Sequence, residues 1–281
     1  MLNLRTVLLL GALTALFLFV GETLFGRAGL TWALVVAAVM NFGSYWFSDR
    51  IVLAMTHARP VSEAEAPELY GMVRRVATEA GMPMPAVYLV DMPQPNAFAT
   101  GRDPQHAVVA VSPSILQLLD RSELEGVLAH ELGHVRNRDT LVSAMAATIA
   151  GAITYVAQMA FWFGGRSGDD EEGANPLVGL LALIFAPIAA VLIQLAISRG
   201  RELGADRAGA ETTHDPLALA SALEKLERTR QIPAGNNLNP STAHLFIVNP
   251  LSGDLFASLF STHPPTAERV RRLQAMAGLA Q

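Results

Sequence analysis

Two histidines four residues apart bracket a glutamate in the run His130-Glu131-Leu132-Gly133-His134. On a helix that spacing sets both imidazoles on one face, one turn apart. Two neutral ring nitrogens can then meet at a single tetrahedral metal ion. Glu131 falls at the edge of the same face, where its carboxylate can reach an attacking water without occupying a ligand position. Zinc held in this way brings the pKa of a bound water down to about 7. A neighbouring carboxylate can take the water's proton and pass it to a leaving amine. The chain has no cysteine, so disulfides, thiolate metal sites and cysteine nucleophiles are excluded, and any zinc must be held by His, Asp or Glu.

This is the H-E-x-x-H spacing of zinc peptidases. With 7 histidines in 281 residues, chance produces it on the order of 0.01 times per chain. An open catalytic site needs a third protein ligand. Glu202 and Asp206, in the run Arg201-Glu202-Leu203-Gly204-Ala205-Asp206, are four apart and would align on a helix. Glu202 could complete the ligand set, and Asp206 could hold the far nitrogen of a ligand histidine. A solvated helix face beside arginines is the competing reading of the same pair.

The elements that must position these residues are legible in part. Ser62 with Glu65 and Ser122 with Glu125 have capping-box spacing. The first predicts a helix running to residue 80, and the second a helix carrying the two histidines. Residues 86–90 and 107–111 read as short strands, and 98–100 as an extended edge. Ser112 followed by Pro113 reads as a helix start.

Hydrophobic residues make up 51% of the chain and charged ones 16%, against about 45–50% and about 25% in soluble proteins. The excess sits in four apolar runs, near 6–24, 30–47, 141–163 and 177–197. Each approaches the roughly 20 residues that cross a bilayer. The chain therefore divides into an N-terminal hairpin (1–48), a first catalytic part (49–140), a second apolar hairpin (141–198) and a second catalytic part (199–281). If all four runs span, Arg5, Arg50, Arg136, Arg138, Arg199 and Arg201 flank the membrane on the side of the termini. Positive charge near membrane ends marks the cytoplasm. The net charge of −5 argues against a nucleic-acid partner.

His130 to His134, followed by Asn137 and Asp139, an apolar hairpin and then Arg201 to Asp206, resembles the HtpX group of membrane zinc endopeptidases, relatives of the CAAX prenyl endopeptidase. The resemblance extends to Asn96-Ala97-Phe98-Ala99-Thr100-Gly101 and to Thr262-His263-Pro264-Pro265, with Glu268 and Arg269 after it. It implies a mainly α fold with a small β-sheet, namely a zincin-like metalloprotease domain joined to four hydrophobic membrane helices. It implies one Zn²⁺ per chain held by His130, His134 and Glu202, with Asp206 behind a ligand histidine and Glu131 catalytic. It also implies that Asn96, Ala97 and Phe98 line the substrate cleft and that His263 assists catalysis by steadying the oxyanion.

Spacing adds one inference of its own. His134 precedes the third run by about seven residues, ~10 Å of helix, and Glu202 follows the fourth by about five, roughly 8 Å. The metal is therefore expected near the cytoplasmic surface of an inner membrane. The short tether makes membrane proteins the expected substrates, with the lipid bilayer as the other partner, and the resemblance implies misfolded or damaged ones in a quality-control or stress role. Two competing classes are a scaffold or transporter-like protein with a structural zinc, which needs a fourth protein ligand, and a prenyl-protein processing protease.

Overall fold

The computed structural model describes residues 4–143, 199–229, 245–247 and 264–279. Helix α1, Leu4–Trp46, is two helices in series, because Gly26 interrupts it at φ 63° and ψ −151°. The halves fold back on one another: the Asn41 amide donates to the Leu10 carbonyl at 3.3 Å and to the Thr14 hydroxyl at 2.9 Å. Among the described residues, one helix, Gly26–Trp46, is long and apolar enough to cross a membrane. It exposes Trp32, Val39 and Phe42. The expected run 6–24 is helical within α1, whereas residues 144–163 and 177–197 of the later runs lie outside the described residues.

Helix α2, Ser48–Met55, follows directly. The end of the apolar helix is tied to the rest of the chain: the Arg102 guanidinium lies 4.5 Å from the centre of the Trp46 ring. Arg50 stands 5.5 Å from the Phe47 ring. A guanidinium over an aromatic face contributes about 0.5–2 kcal/mol.

The sheet has four short strands in the order β1-β2-β4-β3. They are β1 (Arg59–Pro60), β2 (Ala86–Leu89), β3 (Ala97–Thr100) and β4 (Val108–Val111). Parallel β2–β4 pairing sits between antiparallel β1–β2 and β3–β4 pairs, so the sheet is mixed and β3 forms one edge. The further helices among the described residues are α3 (Pro67–Glu79), α4 (Pro113–Leu118), α5 (Arg121–Arg136), α6 (Arg199–Thr213), α7 (Pro216–Arg228) and α8 (Thr266–Met276). One core joins Val73 and Val76 of α3, Val109 of the sheet, Leu128 and Leu132 of α5, and Leu223 of α7.

Two expected caps fall elsewhere. Glu65 does accept from the Ser62 N–H and hydroxyl, at 2.7 and 2.6 Å, but this closes a turn. Helix α3 begins only at Pro67 with Ala66 outside it at φ −140°, since a residue before proline avoids the helical region. On α5 the capping box is Asp120 with Glu123, not Ser122 with Glu125. The buried Glu125 carboxylate pairs instead with the exposed guanidinium groups of Arg75 and Arg121, and Ser122 donates to Asp120 at 2.8 Å. Ser112 and Pro113 start α4 as expected.

Helix α5 is buried on nearly every side, and so its polar groups need partners. Glu123 takes the Ser221 hydroxyl and the Lys225 ammonium, each at 2.6 Å. Helix α6 crosses α5 closely at Gly209, where an added Cβ would stand 2.9 Å from the His130 backbone nitrogen and 3.2 Å from its Cα. Backbone cannot yield as a flexible side-chain tip can, and overpacking costs about 1–3 kcal/mol. Gly209→Ala should therefore lower the melting temperature and loosen metal retention. Gly71→Ala on α3, where nothing lies within 4 Å, should do neither. Equal melting curves for the two variants would contradict this account of the α5–α6 crossing.

Candidate metal centre

Helix α5 places His130 and His134 on one face with their Nε2 atoms 3.2 Å apart. The carboxylate of Glu202, in the first turn of α6, meets both: Oε1 is 3.4 Å from His134 Nε2, and Oε2 is 3.7 Å from His130 Nε2. These ligand atoms all lie within 4.8 Å of one another. A tetrahedral zinc with bonds of about 2.0–2.1 Å has ligand–ligand edges of roughly 3.3 Å. The donor set and its spacing thus fit a metal of this kind. Three protein donors leave one tetrahedral position open, as a catalytic site requires.

Each imidazole is backed by a carboxylate, and each carboxylate by an arginine. His130 Nδ1 is 2.9 Å from Asp206 Oδ1, a close pair whose alignment falls short of a hydrogen bond. Asp206 is held by Arg269 of α8 through two parallel bonds, Nη2 to Oδ1 at 2.6 Å and Nε to Oδ2 at 2.8 Å. His134 Nδ1 is 3.3 Å from Asp139 Oδ2, and Arg201 Nη1 is 3.5 Å from Asp139 Oδ1. The second pairing depends on local backbone. Helix α5 ends at Arg136, and Arg138 takes φ 60°, which turns the chain so that Asp139 meets the back of His134. Carboxylates placed behind ligand histidines fix ring tautomer and orientation.

Burial and charge pull against each other here. Burial would raise the Asp206 pKa, but the charge and bonds of Arg269 and the nearby His130 hold it well below the usual carboxylate range. Burial would lower the Arg269 pKa, and Asp206 overrides that, so the guanidinium stays charged although its side chain is 1% exposed. Burial also opposes a proton on His134, but the charges of Glu202, Glu131 and Asp139 and the Asp139 contact raise its pKa to about 9.

Glu131 is buried, and its Oε2 accepts the Ala99 N–H of edge strand β3 at 3.1 Å. The general-base candidate is thereby anchored to the sheet, beside the three metal-binding atoms. The cleft in front of it, about 50 Å³, is lined by Phe98 and Thr100 and by Leu245, Phe246 and Ile247. The start of β3 is built around Asn96. Its amide donates to the Leu245 carbonyl at 3.2 Å and accepts the Ile247 N–H at 3.1 Å. Of the residues expected at the site, the structure brings together His130, Glu131, His134, Glu202, Asp206 and Phe98. Ala97 is buried and pairs with Val111, Asn96 is turned into the protein, and His263 lies outside the described residues.

The sequence reading assigned no place at the site to Leu245, Phe246 and Ile247, and no role to Asp139 and Arg269. An acid just beyond the end of the metal-binding helix is a signal for Asp139. Arg269 shares a helical face with the buried Leu273, which marks it as inward but not its target. The contact of 245–247 with Asn96 spans about 150 residues and leaves no local signature.

A sheet with one edge strand beside a helix bearing two histidines and a glutamate, completed by a carboxylate from a second helix, defines a metalloprotease. The profile of Peptidase family M48 matches residues 63–277, and the chain belongs to that family. Its relatives include a protein described as Protease HtpX homolog from Thermodesulfovibrio yellowstonii, 56% identical over 98% of each chain. Two others of the same description come from a Sulfurihydrogenibium species (54% identical, 98% of this chain, 96% of the relative) and Syntrophobacter fumaroxidans (54%, 97% and 98%). A crystal structure of S. mikatae Ste24p shares the fold with a TM-score of 0.52 at 18% identity, covering 94% of this chain, which spans 62% of that one.

The raised His134 pKa yields a test by metal titration. A histidine whose pKa rises on folding stabilises the metal-free fold most fully below about 6.5, and that stabilisation fades as pH climbs through about 9. A metal must displace the same proton. Zinc added to the metal-free protein at pH 7 should release a proton to buffer, and its affinity should rise by up to about tenfold per pH unit towards pH 9. Calorimetry in buffers of different ionisation enthalpy reads the proton directly; a buffer-independent heat would refute the account.

Proposed function

We propose that the chain is a membrane-anchored zinc endopeptidase that works at the cytoplasmic face and cuts misfolded or damaged membrane proteins. The observation that carries this reading is the meeting of the two Nε2 atoms with the Glu202 carboxylate, beside a glutamate held by edge strand β3. Zinc in that site supplies Lewis acidity, polarising a carbonyl and acidifying water.

The chain's own groups do the rest. Glu131 takes a proton from the attacking water as its oxygen adds to the carbonyl carbon. When the C–N bond breaks, the same carboxylate delivers that proton to the leaving amine. The Ala99 N–H steadies the carboxylate in a fixed place, so little reorganisation accompanies the transfer. Asp206 and Asp139 keep the imidazole Nε2 atoms free to face the metal. A structural zinc, by contrast, would be closed by four protein ligands, and the cluster among the described residues has three.

One feature supports membrane proteins as substrates. The apolar helix ends at Trp46, and Trp46 touches Arg102, two residues past the strand that lines the cleft. The strand that lines the cleft is thus tied, two residues past its end, to the end of the apolar helix. Relatives named Protease HtpX homolog match over nearly the full length, which supports the activity itself.

Two experiments test this reading. Glu131→Gln in the zinc-loaded, detergent-purified protein should keep its metal and lose cleavage of casein and of itself by at least about a hundredfold. Proteolysis undiminished in that variant would end the proposal. The orientation is tested separately, and the absence of native cysteines makes it clean. A single cysteine replacing Asp170 should react with a membrane-impermeant maleimide in intact cells, and one replacing Arg228 should not; the reverse labelling would invert the topology.

A further inference from the structure

One cleft wall, attached at the start of strand β3, comes from a distant part of the chain, and its attachment is specific. Asn96 is 1% exposed and uses its side-chain amide as a peptide group would, giving a hydrogen to the Leu245 carbonyl and taking one from the Ile247 N–H. These two groups flank Phe246, so the clamp sets the backbone on both sides of that residue. The Asn96 backbone is tied in turn to Ser112, through its N–H to the hydroxyl and its carbonyl to the Ser112 N–H, both at 2.9 Å. The clamp therefore rests on the same sheet that carries Ala99 and, through it, Glu131.

The clamped residues are apolar and face the reacting groups. Leu245, Phe246 and Ile247 share the cleft with Glu131 and the metal-binding residues. Ile247 belongs to the main core, and Leu245 packs against the Phe98 cluster. The wall is thus anchored at both ends, with Phe246 between them and 2% exposed. In a cleft of about 50 Å³, the bulk of this side chain decides how much room a neighbouring substrate side chain has.

Resting on the endopeptidase reading, we propose that Phe246 is a specificity-determining residue, forming the apolar subsite for the substrate side chain beside the cleaved bond, and that Asn96 is its positioning residue. The substrate class that follows is a peptide with an apolar residue of limited size at that position. Enlarging the subsite admits larger apolar residues. A hydrophobic pocket discriminates about 10–200-fold per methylene, so the change is measurable.

The test uses the full-length, zinc-loaded protein in detergent and a set of fluorogenic peptides. The peptides differ only in one apolar residue, Ala, Leu, Phe or Trp, placed in turn on either side of the scissile bond. Phe246→Ala should raise the kcat/KM ratio of the Trp or Phe peptide over the Leu peptide at least about tenfold at one of the two positions. Phe246→Leu should give an intermediate ratio. Asn96→Asp keeps the acceptor for Ile247 but loses the donor to Leu245. It should flatten the same preference, with zinc content unchanged.

An unaltered profile in metal-replete Phe246→Ala and Phe246→Leu overturns the proposal, as does a uniform fall in kcat/KM across all peptides, which marks a wall of structural importance alone. Failure of the wild-type protein to cut any peptide would instead strike the endopeptidase reading, so the two failures are separable.

Discussion

The metal centre depends on how closely helix α6 can lie against helix α5. Two ligands come from one helix and the third from the other, and the Glu202 oxygens reach the two imidazoles at 3.4 and 3.7 Å. That geometry needs the helix backbones almost in contact beside His130. Gly209 permits it, because an added Cβ would collide with the His130 backbone. Ala205 and Ala208 continue the close approach opposite Gly133. The side chains that could do chemistry are held in register by side chains that are nearly absent.

A helix as buried as α5 cannot carry unpaired charge, and this demand shapes everything around it. Each imidazole has a carboxylate at its back and each carboxylate has an arginine, His130 with Asp206 and Arg269, His134 with Asp139 and Arg201. The two chains of charge draw in different elements. The first binds α8 to α6, and the second binds the turn after α5 to the start of α6. Removing Arg269 would strand a buried carboxylate, a change that costs about 3–5 kcal/mol. The polar network that orients the ligands is therefore also what assembles the helices around them.

The sheet is small, yet its edge strand meets three requirements at once. Ala99 of β3 holds the Glu131 carboxylate, Asn96 at its head clamps residues 245–247 of the cleft wall, and Arg102 beyond its tail stacks on Trp46 at the end of the apolar helix. Gly101 makes the last turn possible: at φ 138° an added Cβ would strike the His106 carbonyl oxygen. Its carbonyl is taken by the Thr140 hydroxyl, next to Asp139. The general-base candidate, the cleft wall and the apolar helix are thus linked through some seven residues, 96–102.

Local chemistry was enough to read much of this from the sequence. The four-residue spacing of His130 and His134 and of Glu202 and Asp206 places each pair on one helix face, because 3.6 residues make a turn. Three of the four short strands were legible within a residue or two, as was the helix start at Ser112 and Pro113, while the two-residue β1 left no signal. Even locally, two caps moved, once because Pro67 delayed a helix and once because two exposed arginines claimed the buried Glu125. Spacing offered Glu202 only as a candidate that the family resemblance filled in, and tertiary structure brings it from α6 to the histidines of α5; tertiary structure alone decided that Arg269 neutralises Asp206 and that Asn96 turns inward to grip residues 245–247. Those pairings join residues from about 60 to 150 positions apart. Periodicity carries no information at such range; packing and the need to compensate buried charge select the partners.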